Sequence, residues 1–282
     1  MSTLNETFLT GLKALEQWRP LLPADLSRGL AASERNNQEE SNPCTTSDWP
    51  PSLETFLEQR DEYPPYSIIL GVCEDGLPFL LDLSNPAPGS LLIAGDPSSG
   101  MSRLLKTTLL SLVGLNYPDQ VTFHMITRAP EKFSDLEETD HCQQILHLDH
   151  PGVGELIEEL AGTIEQRRQN WRQDPVIVLV MDDLAACIGA LNQHDFGRLY
   201  GLIKHGPRAR VWTIAALSTE KTEEIEPRFL SAFRTRVIGS IENRELAGYL
   251  SGNDEIPLQE LEGAHQFCLF SRNEWLRFWI FS

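Results

Sequence analysis

The sequence predicts an α/β fold, a three-layer sandwich in which a mainly parallel β-sheet lies between two layers of helices. Two observations predict it. Short β-branched and aliphatic runs alternate along the chain with longer helical stretches, and this alternation is typical of parallel sheets. One run, Val176–Met181, is apolar throughout, as expected for a central strand that is buried on both faces.

From residue 66 onward the predicted elements follow one another closely. Alternating or continuous apolar runs indicate strands, and apolar residues repeated every third or fourth position indicate helices. The turn sequence Glu74-Asp75-Gly76 joins the first two strands as a hairpin. The predicted strands are Ser67–Val72, Pro78–Leu83, Leu91–Ala94, Val121–Thr127, Val176–Met181, Val211–Leu217, Arg236–Ile241, Gln266–Ser271 and Leu276–Phe281, and the main helices are Ser102–Leu115 and Gly154–Trp171.

Two segments precede this predicted domain of residues 66–282. Residues 1–31 predict a helical appendage, because Leu4–Trp18 has the apolar spacing of an amphipathic helix. Residues 32–65 predict a polar linker that contains one short helix, Leu53–Arg60, because the preceding stretch has few apolar groups with which to form a core. The appendage helix either packs on the main domain or docks on a partner, and the sequence leaves both open.

Composition and charge exclude several classes of protein. The 282 residues carry 23 Lys and Arg against 41 Asp and Glu, a formal charge of −18, which argues against a simple DNA-binding module. No apolar run approaches the roughly 18–20 residues of a membrane span, and no secretory signal is visible. The five cysteines form no CxxC pair. This pattern is typical of reduced thiols, so the expected location is the cytoplasm, without a membrane partner.

A glycine-rich turn joins the strand Leu91–Ala94 to the next helix. Its sequence, Gly95-Asp96-Pro97-Ser98-Ser99-Gly100-Met101-Ser102, fits the phosphate-binding frame G-x-x-x-x-G-x-S. Such a loop directs backbone N–H groups at an anion, and the helix N-terminus adds partial positive charge. The Ser102 hydroxyl takes the place of a Mg²⁺ ligand. Met101 stands where a lysine normally neutralises the β- and γ-phosphates.

The two acids of a second motif begin 87 residues after Gly95. The apolar run Val176–Met181 ends in Asp182 and Asp183, which is the arrangement of a Walker B strand. Asp182 is a predicted Mg²⁺ ligand through water, and Asp183 would orient the attacking water if the site is active. Each motif alone is explained by an ordinary strand end, but together they predict a site for ATP and Mg²⁺.

The order of these motifs resembles the FtsK/SpoIIIE and HerA branch of the RecA-like P-loop ATPases. The resemblance covers residues 66–282 and implies a RecA-like fold and a subunit that works in a ring. The stretches that carry it are Gly71–Leu83 with Leu91–Gly95, the helix Leu156–Arg168, the strand Arg210–Leu217 and the strand Phe233–Ile238, which resembles the family's P-T-R-I.

Four departures from the family pattern bear on catalysis. Met101 replaces the Walker A lysine, Asp183 replaces a glutamate, and Ala216-Leu217 replaces a T-Q whose glutamine would sense the γ-phosphate. Thr127-Arg128-Ala129 stands where the family tends to have D-P-K. Because one lost transition-state contact costs about 3 kcal/mol, these departures predict weakened or absent hydrolysis.

Three further groups of residues each allow two interpretations. Arg236 matches the arginine of the family strand and could reach a neighbouring subunit's nucleotide, or it could form a salt bridge within its own fold. His141, Cys142, His147 and His150 could bind zinc, but a structural loop explains them better. Arg167, Arg168, Trp171 and Arg172 combine cations with an aromatic ring, as nucleic-acid surfaces do, yet cations are also favoured at a helix C-terminus.

The sequence therefore predicts an FtsK-like P-loop domain with a degenerate Walker A loop, acting as a pseudo-ATPase or a regulatory subunit of a ring or multiprotein assembly. ATP and Mg²⁺ are possible ligands whose binding is weakened. The expected partners are further copies of the chain or an intact FtsK/HerA-like ATPase, and direct DNA binding is doubtful. Two alternatives stay open: an active ATP-dependent DNA translocase, and a structural adaptor that binds no nucleotide.

Overall fold

The computed structural model describes residues 49–58, 63–170, 175–253, 261, 263–271 and 274–282. The strands are β1 (Ser67–Cys73), β2 (Pro78–Asp82), β3 (Leu91–Gly95), β4 (Val121–Thr127), β5 (Cys142–His147), β6 (Val176–Met181), β7 (Val211–Ser218), β8 (Thr235–Ile238), β9 (Gln266–Ser271) and β10 (Glu274–Trp279). The α-helices are α1 (Leu53–Leu57), α2 (Met101–Leu115), α3 (Ser134–Glu137), α4 (Gly152–Asn170), α5 (Leu184–Ala190), α6 (Gln193–His205), α7 (Pro227–Ala232) and α8 (Arg244–Ser251).

All of these strands belong to one ten-stranded sheet in the order β2-β1-β10-β9-β8-β3-β7-β6-β4-β5. The six strands from β8 to β5 pair in parallel. The other four extend the sheet by antiparallel pairing through β9 and end in the predicted hairpin of β1 and β2. The predicted α/β class with a mainly parallel sheet is thus confirmed.

The central strands are buried on both faces, which makes the fold a three-layer sandwich. Alternate residues of β3 enter different apolar clusters: Leu92 and Ala94 pack with α4, α6 and α7 on one face, and Leu91 and Ile93 pack with α2 on the other. Strands with this burial are mostly apolar, and every residue of β6 is apolar. This explains why β6 has the same bounds as the predicted strand Val176–Met181.

One predicted loop is wrong. The segment that contains Cys142 and His147 forms β5, which pairs in parallel with β4 at the edge of the sheet. Its side chains are mostly half-buried or exposed, as is usual for an edge strand. Two other strands differ from their predictions by more than one residue at an end: β8 ends at Ile238 instead of Ile241, and β10 spans Glu274–Trp279 instead of Leu276–Phe281.

The short helix α1 lies against the body of the domain. Leu53 and Phe56 are buried in an apolar cluster with Ile69 and Phe281, and the Phe56 and Phe281 rings lie 5.2 Å apart. Residues 1–48, which hold the predicted appendage helix and most of the predicted linker, lie outside the described residues. Within the described part of the chain, no helix is long and apolar enough to cross a membrane.

The strand order determines which loops meet. β7 lies between β3 and β6, with Gly95 opposite Ser218 and Met181 opposite Ala215. All three strands are parallel, so the segments that follow them emerge at the same edge of the sheet. The residues after β7 therefore lie between the glycine-rich loop and the two acids that follow β6.

Candidate nucleotide site

The glycine-rich loop passes through two residues of positive φ and leads into an uncapped helix N-terminus. Ser98 and Gly100 have left-handed φ values of 73° and 89°. Gly100 is the N-cap of α2, supplies no side-chain acceptor, and is followed by no acidic residue in the first turn. The N–H groups at the start of α2 are therefore free of side-chain capping, and such N–H groups attract phosphate oxygens.

Two close approaches fix the shape of the loop. A Cβ atom on Gly100 would overlap the carbonyl oxygen of Ala264, so both the positive φ and the packing require glycine there. A Cβ atom on Gly95 would overlap the Ser99 hydroxyl. The Ser99 side chain is buried and turned toward Gly95 and Gly239, whereas Pro97 and Ser98 are exposed.

Position 101 contributes no charge to this loop. The Met101 side chain is half-buried and packs against the apolar cluster between α2 and the sheet, while the neighbouring Ser102 is exposed. The next lysine on the helix, Lys106, lies five residues farther along α2, and its ammonium is directed to the neighbouring segment, 3.0 Å from Asp135 Oδ2 and 3.3 Å from the Lys132 carbonyl. Neither residue takes the role of a Walker A lysine.

Asp96 ties the loop to two neighbouring segments. One carboxylate oxygen accepts a hydrogen bond from the Thr219 hydroxyl, and the other accepts one from the backbone N–H of Glu242 at 2.7 Å. The Asp96 N–H in turn donates to the carbonyl of Ser240 at 2.9 Å. Asp96 therefore serves as a bridge between the glycine-rich loop and the segments after β7 and β8.

Asp182 follows β6 directly and lies at the same edge of the sheet. Its Oδ2 accepts a hydrogen bond from the Thr127 hydroxyl, at the end of β4. Burial raises the pKa of Asp182, and the hydrogen bond from Thr127 opposes that rise. Its Oδ1 is buried and has no hydrogen-bond partner of ordinary geometry among the described residues, so it is the oxygen of this carboxylate whose acceptor capacity is unused.

Asp183, by contrast, has both carboxylate oxygens engaged. Oδ1 accepts from the N–H of Ala186 at 3.0 Å as the N-cap of α5. Oδ2 forms an ion pair with the Lys221 ammonium, and the Arg128 Nε lies 3.7 Å from it. The second acid of the motif is thus a helix cap and the anion of an ion pair, an arrangement unsuited to a water-activating base.

Sequence reasoning did not identify Thr219 and Lys221, which lie in the 3₁₀ segment Thr219–Glu224 after β7. Thr219 contacts the glycine-rich loop through Asp96, and Lys221 contacts the second motif through Asp183. The sequence shows that a lysine follows a predicted strand closely. It does not show that this strand lies between the two motifs in the sheet.

Arg236 and Arg167 are both occupied within their own fold. Arg236 donates to the carbonyls of Leu230 at 2.8 Å and Leu250 at 3.0 Å, where α7 and α8 end, and burial lowers its pKa. Arg167 donates to the carbonyls of Pro175 at 2.8 Å and Ala209 at 3.0 Å. These contacts favour the structural interpretation of each arginine over the functional one.

The histidines near β5 contact different parts of the backbone. His141 is buried and its Nδ1 lies 2.8 Å from the carbonyl of Val121, whereas the Nδ1 of His150 contacts the N–H of Gly152 at 3.0 Å. Among the described residues, no three His, Cys, Asp or Glu side chains are grouped so that they could hold a metal ion.

The sequence profile of the FtsK/SpoIIIE family matches residues 57–243, which include both motifs and the strands between them. The chain belongs to the FtsK/SpoIIIE family. It is also 31% identical over 97 residues to the ESX secretion system protein EccC of Thermomonospora curvata, a match that covers 34% of this chain and 7% of that protein.

Solved structures support the same fold. EssC (ATPases 2 and 3) from Geobacillus thermodenitrificans aligns with a TM-score of 0.64 at 15% identity, over 77% of this chain and 44% of that one. The pCW3 conjugation coupling protein TcpA, in its monomer form with ATPγS, aligns with a TM-score of 0.64 at 15% identity, over 79% and 68% of the two chains. This FtsK/SpoIIIE-family chain thus spans less than half of the EssC structure and a small part of EccC, and its fold is that of a P-loop ATPase domain.

A magnesium nucleotide, as this fold implies, fits part of the site. The uncapped start of α2 would hold the phosphates, and Ser102 with the unpartnered Oδ1 of Asp182 would hold Mg²⁺. The side chain at position 101 does not fit, because a thioether packed on the apolar cluster cannot neutralise phosphate charge.

Proposed function

We propose that this chain is a nucleotide-binding regulatory subunit of the FtsK/SpoIIIE type, which binds ATP weakly and hydrolyses it very slowly or not at all. The proposal rests on the contacts of the residues at the two catalytic positions, 101 and 183. Met101 packs in the apolar cluster where a lysine belongs, and both oxygens of Asp183 are already engaged.

The magnitude of these losses supports a pseudo-ATPase. In phosphoryl transfer the protein mainly positions the groups and stabilises charge, so the missing ammonium directly removes transition-state stabilisation. One such contact contributes about 3 kcal/mol, or roughly 10²–10³ in rate. Loss of the water-orienting acid adds a second factor, because Asp183 is one methylene shorter than the usual glutamate and its Oδ1 is held as the N-cap of α5.

Weak nucleotide binding without hydrolysis could still control the conformation of a subunit. A bound magnesium nucleotide would supply negative charge that holds the loops after β3, β7 and β8 in one arrangement. Asp96 already connects those three segments through Thr219 and Glu242. We infer that the chain responds to nucleotide by stiffening this edge rather than by driving a cycle.

The relatives support a partner with ATPase activity. The EssC structure carries ATPases 2 and 3 in one chain, and this chain matches 44% of it. We propose that the chain associates with an intact ATPase unit of the same family or with further copies of itself, in the cytoplasm. Sedimentation of the chain alone, and then mixed with such an ATPase, distinguishes the two.

An active DNA translocase is the second candidate, favoured by the two cations Lys221 and Arg128 at the nucleotide edge. Replacing Met101 with Lys tests whether the missing charge at position 101 limits nucleotide binding, with Met101→Gln as an uncharged control of similar length. We expect Met101→Lys to tighten the binding of ATPγS by tenfold or more and Met101→Gln to leave it unchanged. Equal affinities in all three proteins would contradict the proposal, because they would show that the charge at position 101 does not limit binding.

A further inference from the structure

One cation at the same edge of the sheet as the candidate nucleotide site comes from outside the glycine-rich loop. Lys221 lies in the 3₁₀ segment after β7, and β7 lies between the strand that enters the loop and the strand that ends in Asp182 and Asp183. Two residues earlier, the Thr219 hydroxyl donates to Asp96 within the loop itself. Lys221 is therefore anchored at the same edge as the uncapped N-terminus of α2.

The present partner of Lys221 is a carboxylate. Its ammonium forms an ion pair with Asp183 Oδ2, and the Arg128 Nε lies 3.7 Å from the same oxygen. The Lys221 side chain is 29% exposed and that of Asp183 is 19% exposed, so the pair borders the solvent-filled edge instead of being sealed in the core. A flexible lysine stem can exchange one oxyanion for another without any movement of the backbone.

We propose that Lys221 replaces the missing Walker A lysine, binding the terminal phosphates of a nucleoside triphosphate with the ammonium that it otherwise pairs with Asp183. The inference rests on the proposed nucleotide-binding function. Arg128 would keep Asp183 partly neutralised after the exchange. Phosphate and Asp183 would compete for one ammonium, and this competition makes binding weak. Because Met101 carries no charge, Lys221 takes the role of the phosphate-binding lysine.

The test uses ATPγS without Mg²⁺, in EDTA, so that effects on a metal ligand do not enter. Binding is measured by titration calorimetry for Lys221→Met, which keeps the length of the side chain and removes its charge. The matched control is Lys106→Met, since Lys106 is a lysine on α2 that contacts Asp135. We expect Lys221→Met to weaken binding at least tenfold and Lys106→Met to change it less than twofold.

A second background separates direct from indirect effects. Lys221→Met alone would also leave Asp183 less neutralised, and that charge could repel phosphate without any contact from Lys221. Asp183→Asn removes the charge but keeps an N-cap for α5, because Asn caps helices as well as Asp does. We expect Asp183→Asn to tighten binding several-fold, since Lys221 is released, and Lys221→Met to weaken it about tenfold again in this background.

The outcomes are distinguishable. If Lys221→Met has no effect in the Asp183→Asn background, Lys221 acts only by neutralising Asp183, and the inference is overturned while nucleotide binding stands. If the unmodified chain fails to bind ATPγS at millimolar concentration, both the inference and the proposed nucleotide binding fail. Binding that depends on Lys221 together with rapid ATP turnover would overturn only the regulatory function. Thermal melting of each variant confirms that it is folded.

Discussion

Arg236 offers a direct test of whether the family arginine has been taken over by the fold. Its guanidinium donates to Leu230 and Leu250 carbonyls at 2.8 and 3.0 Å, and to Phe233 at 3.5 Å. The two shorter bonds have good geometry and a charged donor, and each such bond contributes about 1.5–3 kcal/mol. Because the side chain is only half-buried, water recovers part of that energy. Arg236→Met should therefore lower the free energy of unfolding by about 2–3 kcal/mol.

Urea denaturation followed by circular dichroism measures this loss. Arg208→Met is the matched control, because Arg208 is an exposed arginine, and exposed substitutions usually change stability by about 0.5 kcal/mol or less. A loss below about 0.5 kcal/mol for Arg236→Met would refute the reasoning. It would show that the helix ends of α7 and α8 do not depend on this guanidinium, and a role at a neighbouring subunit would again be the better interpretation of Arg236.

Two further predictions concern single positions of the fold. In urea denaturation, Gly100→Ala should destabilise the protein by about 2 kcal/mol or more, because a left-handed φ costs an L-residue about 1–2 kcal/mol and the new Cβ would overlap the Ala264 carbonyl. The control is Gly162→Ala, at an open helical position, which should stabilise the protein. Equal effects of the two substitutions would contradict the loop geometry. Burial lowers the pKa of His124 to about 4, so as the pH falls from about 6.5 to 4 the unfolded state takes up the proton first, and the free energy of unfolding should drop by up to about 3 kcal/mol. His124→Gln should abolish that part of the pH dependence, and an unchanged slope would show that another group causes it.

The sequence predicted the elements that leave a clear pattern, namely the buried strands and the strand–turn–helix of the glycine-rich loop. β4 and β6 have the predicted bounds because both are buried almost throughout, and β6 is also apolar at every position. β5 escaped prediction because an edge strand with Gln143 and Gln144 has no apolar period to detect. The helices α6 and α8 could have been found from their N-caps, since Asn192 and Asn243 each accept a backbone N–H of the first turn.

The candidate site was predictable only in its two motifs. The sequence shows that position 101 lacks a lysine, but the location of Lys221 beside Asp183 depends on β7 lying between β3 and β6. Likewise the pattern around Arg236 is compatible with a contact in trans, and only the carbonyls at the ends of α7 and α8 reveal its partners. Residues that come from distant parts of the chain meet through strand order, which no local pattern encodes.

We propose that this FtsK/SpoIIIE-family domain keeps the nucleotide site without its catalytic power. Steady-state ATP hydrolysis of the unmodified chain, compared with Asp182→Asn, tests this most directly, because Asp182 is the acid of the second motif whose Oδ1 has no hydrogen-bond partner among the described residues. We expect background turnover that is the same in both proteins, alone and with a DNA duplex added. Turnover well above background that disappears in Asp182→Asn would contradict it.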